Sequence, residues 1–470
     1  MIYLQQNCRR LNGDLETPIS LFLNLAGAKE GVLLESAEVD GRWGRYSLAA
    51  TDFLVTASCR AGLLNLKIDS EQFAVLEKFE GQPFLEGLRS LISALHITGE
   101  SGQPDLPPIT RSLYGYLGYD AAGLMENKLA RSIKVDRAEG VFVLPGNVYL
   151  FDHDFNNLFH LSLETERTAL MAKPKVISEK NRPALLGQIE TSLGKAEYQN
   201  AVGDIKELIR LGEAIQVVLA TQFSADFNGD LFGVYRQLRR INPSPYMFYL
   251  KLSEMSMAVS SPEVMVGCDK NRLRLCPIAG TRPRGSNIEE DRLMAEELAA
   301  DPKERSEHVM LVDLGRNDLG KVAVPGTVKL DRFMKVERFS HVMHLTSYLS
   351  ADLEAGFDAI DILRAAFPAG TLSGAPKIRS MEIISDFEPT PRQVYGGVLG
   401  WMGLDKDAVN MDFGITIRGA WARNGRIYWE AGAGIVHDSD PQTEWQECLN
   451  KAAVVKKAIE AYLIKNSEEN

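Results

Sequence analysis

The chain has 470 residues, of which 45% are hydrophobic and 24% charged, and its net charge is -11. That balance excludes a disordered chain, a collagen-like repeat and a coiled coil. No run approaches the ~18 apolar residues of a membrane-spanning helix, and an acidic surface without a basic stripe repels phosphate backbones, so neither membrane nor nucleic acid is expected as a partner. The length exceeds that of a usual single domain and predicts two domains or one large composite. Cys8, Cys59, Cys268, Cys276 and Cys448 are odd in number and lack metal-clamp spacing. The first ten residues also lack the order of a secretory signal, so free thiols in the cytoplasm are the expectation.

Residues 1–165 read as short strands broken by turns, with strands predicted over 31–36, 46–50 and 141–150. Over 113–119, aromatics alternate with Gly and Leu at the two-residue period of a strand. Leu85, Leu88, Leu91, Ile92 and Leu95 predict a helix over 85–95. Residues 166–194 lose this regularity, carry many charges and contain Pro174 and Pro183, which marks a connecting segment. Beyond it, Tyr198, Val202, Ile205 and Ile209 recur at helical spacing up to Gly212, and a strand follows over 215–219. Helices are predicted over 289–300 and 443–463. The class is mixed α and β with a mostly β first part, divided as 1–165, 166–194 and 195–465.

Two carboxylate pairs stand out. Glu304 with Glu307, and Glu444 with Glu447, are each three apart on a predicted helix, so both members project from nearly one face. Converging carboxylates need a cation between them, and hard oxygen ligands suit Mg²⁺. On spacing alone, a solvated helix face is the more common explanation. Apolar stretches follow both Glu307 and Glu447, which places them beside buried positions. His341 and His344 share the spacing, but no further ligand supports a zinc site, and one core and one surface histidine is the simpler reading. The loop from Pro368 to Lys377 lacks the second glycine of a phosphate loop, where Ala375 stands; a tight turn with exposed N–H groups remains. Gly432 and Gly434 follow a strand over 426–430 and would let a ligand approach the backbone. Arg418 ends an alternating strand and is either a carboxylate clamp or a water-facing edge residue. Lys451 stands one turn beyond Glu447 as its i,i+4 partner, and Glu263 follows a strand and Pro262.

In combination these motifs are more specific. The run Pro277-Ile278-Ala279-Gly280-Thr281-Arg282-Pro283-Arg284-Gly285, the segment 304–318 with Leu311-Val312-Asp313-Leu314-Gly315-Arg316-Asn317-Asp318, the segment 370–377 and Gly432 to Ile435 resemble the chorismate-utilising enzymes. The likeness runs in that family's order over most of residues 195–460. It implies an α+β fold, a two-part α/β sandwich with antiparallel-rich sheets, helices packed outside and the active site between the sheets. Chorismate is the implied substrate. Among the family's reactions, the likeness favours addition of ammonia at ring carbon 2 with loss of the 4-hydroxyl, then elimination of pyruvate to leave anthranilate for tryptophan biosynthesis.

The same resemblance assigns roles. Glu307 and Glu447 match direct Mg²⁺ ligands, and Glu304 and Glu444 match residues that hold metal-bound waters. Glu263 matches the general acid that protonates the leaving hydroxyl. Arg418 and Tyr395 match the residues on the enolpyruvyl carboxylate, and His344 matches the histidine of the pyruvate-elimination step. Gly280, Thr281, Thr371, Gly432, Ala433, Gly434 and Lys451 match the rest of the substrate cradle. Gln216 stands where water-adding members carry a lysine base, and Ala279 where members that make aminodeoxychorismate carry a nucleophilic lysine. Leu33-Leu34-Glu35-Ser36 and Asn242-Pro243-Ser244-Pro245-Tyr246-Met247 resemble the family's tryptophan pocket, so Ser36, Pro245, Tyr246 and Met247 are expected to bind L-tryptophan as a feedback effector. One segment, Leu219-Ala220-Thr221-Gln222-Phe223, leans toward the aminodeoxychorismate members. No stretch is left over for a glutamine amidotransferase domain, so ammonia is expected from solution or from a separate glutamine amidotransferase subunit. Aminodeoxychorismate synthesis, a non-catalytic tryptophan-binding subunit and a protein that keeps only the fold are the alternatives.

Overall fold

The computed structural model describes residues 1–470 except 15, 28, 37–43, 100–104, 164–183, 340–341 and 469–470. Two long antiparallel ladders organise the chain. In the first part Tyr46–Arg60 pairs with Gly140–Asp152, with a register shift between Phe53 and Val55. In the second part Gln216–Asn228 pairs with Arg426–Ile435, from Val217 opposite Ile435 to Asp226 opposite Arg426. The parts are joined by hydrogen bonds between strands. Gly31–Glu35 lies antiparallel to Tyr246–Lys251, with Glu35 opposite Met247, and Ser112–Leu117 lies antiparallel to Val398–Gly403. The chain is therefore one composite, a two-part α/β sandwich in which strands of both parts continue one another.

Alternation along the strands builds the layers. On Arg426–Ile435, Ile427, Trp429, Ala431 and Ile435 face the helices Lys195–Arg210, Leu231–Ile241 and Pro441–Glu468, where Tyr198, Val202, Ile205, Val455 and Ile459 complete an outer core. The opposite faces meet in an inner core that draws Tyr114 and Phe142 from the first part and Met257, Phe413 and Trp421 from the second. The predicted helix over 85–95 is Phe84–Ala94, burying Leu85, Leu88 and Leu91. The helix after residue 194 runs Lys195–Arg210 and stops at Gly212, whose φ of +86° suits glycine.

Three local expectations differ from the structure. The strand expected over 215–219 runs on to Asn228, because its ladder continues through Phe223 opposite Trp429. Residues 426–435 form one unbroken strand, so the glycines expected to follow the strand over 426–430 lie within it. The turn expected to expose its N–H groups is largely enclosed: Gly370–Ser373 forms a single helical turn, and Gly374 and Ala375 are buried and paired to Val217 and Gln216. Most of the segment 166–194 lies outside the described residues.

Glycine is required where the parts meet. Gly115 stands opposite Gly400, and a Cβ would lie 1.8 Å from the Val141 carbonyl oxygen at Gly115 or 2.0 Å from the Asp412 carbonyl oxygen at Gly400, where φ is +156°. Backbone cannot yield cheaply, so Gly115→Ala or Gly400→Ala should lower stability by at least about 2 kcal/mol. Urea unfolding with an unchanged midpoint in either variant would contradict this account of the junction.

Candidate active site

Both acidic pairs sit near the starts of their helices, with Glu304 and Glu444 in the first turn and Glu307 and Glu447 in the second. Pro302 opens the helix Pro302–Gly320, and Asp301 caps it by accepting from the Lys303 and Glu304 amides at 2.9 and 3.2 Å. Asp440 accepts from the Thr443 amide at 2.8 Å ahead of Glu444 and Glu447. Helix N-termini favour negative charge, which explains why carboxylates are tolerated there. The two helix starts are electrostatic neighbours. Burial raises the Glu307 pKa, and the charges of Glu304 and Glu447 push it further. Burial likewise raises that of Glu444, against a hydrogen bond from Ser439 and with the Glu447 charge adding to it.

Cations already stand beside two of the four. Arg282 bonds Glu304 at 3.3 Å, Asp301 at 2.8 Å and Glu297 at 2.9 Å. Lys451 bonds Glu447 at 2.6 Å, as the one-turn spacing predicted, and also donates to the Gly432 carbonyl at 3.1 Å. Among the described residues, no group of three or more His, Cys, Asp or Glu is close enough to hold a metal ion. The donor set nevertheless fits Mg²⁺, which takes one or two carboxylates directly and keeps its waters. Glu307 and Glu447 are mutually repelling oxygen donors, and beside Glu307 the Gln216 Oε1 is buried without a partner.

Glu263 lies at the bend between the strands Ser256–Ser261 and Val264–Asp269. Its Oε1 accepts from the Thr371 hydroxyl at 2.7 Å. Burial raises its pKa to about 7 against the opposing pull of Thr371, Arg418 and Lys451. A carboxylic acid with that value holds a proton that it can give up near neutrality. Arg418 follows the strand Met411–Ile415 rather than ending it, with φ at +52°. That backbone costs a non-glycine residue about 1–2 kcal/mol. Among the described residues the guanidinium makes no ion pair, while Tyr395, Glu263 and Glu447 lie within electrostatic reach. It is enclosed rather than water-facing, and it is poised for an anion. Tyr395 is buried beside it.

The backbone supplies the rest. Gly432, Ala433 and Gly434 pair with Ala220, Leu219 and Val218, and a side chain at Gly434 would meet Gln216 Nε2 at 2.5 Å. Gln216 Nε2 donates to Glu307 at 3.4 Å. On the strand Ile278–Pro283, Ala279 is buried opposite Leu345, and the register shifts at Gly280 and Thr281, where Gly280 takes φ +63° against Glu304. His344 lies on the neighbouring strand, Val342–Asp352, and not on a helix. Its Nδ1 donates to the Gly280 carbonyl at 2.7 Å and lies 3.1 Å from the Thr281 hydroxyl. Burial lowers its pKa, so the ring is neutral at neutral pH with Nε2 as the acceptor. His341 lies outside the described residues.

A cavity of about 750 Å³ lies elsewhere. It lies where the two parts meet, and Ser36, Pro245, Tyr246 and Met247 all line it. Its polar corner is Asp412, which accepts from the Tyr246 hydroxyl at 2.8 Å and from Arg274 at 2.6 Å.

A family profile described as chorismate binding enzyme matches residues 65–457. The chain belongs to that family. It is 37% identical to anthranilate synthase component 1 of Acinetobacter calcoaceticus, over 96% of this chain and 94% of that one. It is also 37% identical to aminodeoxychorismate synthase component 1 of Bacillus subtilis, over 92% of each. Among solved structures, anthranilate synthase component I of Streptococcus pneumoniae TIGR4 is similar with a TM-score of 0.72 and 30% identity, over 95% of this chain and 99% of that one.

For a chorismate-binding enzyme the site also contains residues that sequence reasoning left unassigned. Arg282 stands within the run from Pro277 to Gly285, and the excess of acids around it signals a cation there. Arg392 and Glu388, buried behind the cradle, carried no pattern at all.

The proton on Glu263 has a stability signature. Its native pKa of about 7 exceeds the ordinary value of 4.5, so between those values the native state holds a proton that the unfolded chain releases. Stability from this group is present at low pH and is lost as pH rises through about 7. Glu263→Gln should therefore gain on the unaltered chain by up to about 2 kcal/mol between roughly pH 5 and pH 8. Guanidinium unfolding at both values measures it, and a pH-independent difference would exclude the raised pKa.

Proposed function

We propose that the chain is the chorismate-aminating subunit of an anthranilate synthase, a Mg²⁺-dependent lyase that converts chorismate and ammonia to anthranilate and pyruvate in cytoplasmic tryptophan biosynthesis. The observation that carries this reading within the family is Ala279. It is buried on the strand that borders the acidic pairs and offers a methyl group, so no protein amine competes with ammonia for the ring. Gln216, a neutral amide, does not activate water as a base.

The residues divide the work. Arg418, unpaired and enclosed, binds a substrate carboxylate with Tyr395 beside it, and the Gly432–Gly434 backbone admits the ring. Glu307 and Glu447 would hold Mg²⁺, with Glu304 and Glu444 behind them, and a bound ion would supply Lewis-acid charge stabilisation for the loss of the hydroxyl. Glu263 gives its proton to the departing 4-hydroxyl, and Thr371, Arg418 and Lys451 steady the carboxylate that results. His344, fixed by Gly280 with Nε2 free to accept, takes the ring proton as pyruvate leaves.

The 750 Å³ cavity supports L-tryptophan as an effector, because its apolar walls and the Asp412–Arg274 corner suit an aromatic amino acid. Ammonia comes from a separate glutamine amidotransferase subunit. Aminodeoxychorismate synthesis is the second reading, favoured by the Leu219–Phe223 segment and by the Bacillus subtilis relative.

With chorismate, Mg²⁺ and an ammonium salt, the fluorescent product anthranilate should form and chelation should abolish it. An amino product that retains the enolpyruvyl group would establish the second reading instead. Glu263→Gln should lower kcat by about 10²–10⁴-fold, and the activity of the unaltered chain should fall as Glu263 loses its proton above about pH 7. Tryptophan should raise the melting temperature, and Ser36→Phe, which fills the cavity, should remove that shift. An equal shift in the variant would place tryptophan elsewhere.

A further inference from the structure

The strand Gln216–Asn228 is paired on one side along its length by Arg426–Ile435. Its other edge is covered only in pieces. Gly374–Ala375 pairs with Gln216 and Val217, and Glu190–Thr191 pairs with Phe223 and Ser224. Between them the Val218 carbonyl and the Ala220 amide face a gap in the sheet, and buried backbone groups need partners.

Two side chains fill the gap. The Arg392 guanidinium, about 2% exposed, donates to the Val218 carbonyl at 2.7 Å and to the Leu372 carbonyl at 2.5 Å. It grips Glu388 through Nε and Nη2 at 2.8 and 2.7 Å. Glu388 in turn accepts from the Ala220 amide at 2.8 Å. One face of the guanidinium lies 4.5 Å from the Tyr119 ring centre, and the Tyr395 ring centre is 5.7 Å away. Every group so tied adjoins the site. Val218 and Ala220 stand opposite Gly434 and Gly432, Leu372 follows the Thr371 that bonds Glu263, and Tyr395 neighbours Arg418.

We infer that Arg392, locked to Glu388, is a positioning residue: it stands in for a missing strand and fixes the glycine cradle, the Thr371 turn and Tyr395 relative to one another. The inference rests on the proposed reaction for its kinetic readout but not for its geometry. Lysine cannot replace the guanidinium, because the fork must reach a carboxylate and two carbonyls in one plane.

The test measures chorismate turnover by Arg392→Lys, Arg392→Ala and Glu388→Gln beside the unaltered chain, across the neutral pH range. The expected result is a rise of about tenfold or more in KM with a smaller change in kcat, since misplaced binding groups weaken substrate capture. The pH limb assigned to Glu263 should move upward as Thr371 is released. Added guanidinium chloride at millimolar concentration should rescue Arg392→Ala, and methylammonium should not. A folded variant with unchanged KM and pH limb overturns the inference, as does a loss in Arg392→Ala that guanidinium fails to recover. Where Arg392→Ala does not fold, Arg392→Lys and Glu388→Gln decide by the same two readouts. Absence of turnover in the unaltered chain would refute the proposed reaction, not the clamp. Amide exchange then decides the clamp: faster exchange at Ala220 and Leu372 in Arg392→Lys supports it, and unchanged exchange overturns it.

Discussion

The ladder between Gln216–Asn228 and Arg426–Ile435 is the constraint on which the rest depends. One face carries Val217, Leu219, Trp429 and Ala431 against the outer helices, and that burial anchors the Pro441–Glu468 helix with its acidic start. The other face carries Gln216, Gly432 and Gly434 into the site. Because side chains alternate across a strand, the register that seats Trp429 in the core is the register that turns the glycines to the opposite face, beside Gln216. A slip of one residue would exchange the two sets. The helix contributes a second tie on this ladder, since Cys448 donates from its thiol to the Ala431 carbonyl at 3.0 Å and Lys451 donates to Gly432.

Charge is organised on that frame by proximity to helix ends. Glu304, Glu307, Glu444 and Glu447 belong to first or second turns, where the peptide dipoles offset part of the cost of gathering them. Arg282 and Lys451 pair with one member of each pair, while burial, helped by the neighbouring carboxylates, raises the pKa values of Glu307 and Glu444. Glu263 is the opposite case. Among the described residues it has no ion pair; it takes a hydrogen bond from the Thr371 hydroxyl, and burial raises its pKa to about 7. Carboxylates with separated tasks thus follow from separated surroundings.

Much of this was legible in the sequence, and the limits have a common cause. Hydrophobic period identified Phe84–Ala94, Lys195–Arg210 and Pro441–Glu468, because an amphipathic helix records its buried face in its own residues. Period cannot say what covers that face. Hence the joining of the two parts through Glu35 and Met247 was not visible, nor was the continuation of the 426–430 strand through its glycines, which only the partner strand imposes. Arg418 seemed to end a strand because the alternation persists to it, whereas its left-handed backbone breaks the strand three residues earlier. The acid pairs stand out by their helical spacing, whereas their roles and that of Glu263 come only from the family motif. Arg392 was missed because a buried arginine in a turn leaves no periodic trace.

The cavity and the site are closer than their contents suggest. Pro262 and Val264 line the 750 Å³ cavity, while Glu263 between them turns to Thr371 on the opposite side. Farther along, Leu275, Cys276 and Ile278 line the cavity, and Ala279 follows Ile278 on the strand that carries Gly280. Glu263 is mounted on the wall of the cavity, through the Ile415 amide donating to its carbonyl at 3.0 Å and the bend that follows Ser261. Whatever presses on Pro262 and Val264 presses on the backbone of Glu263, and close-packed interiors pass such displacement on rather than absorb it.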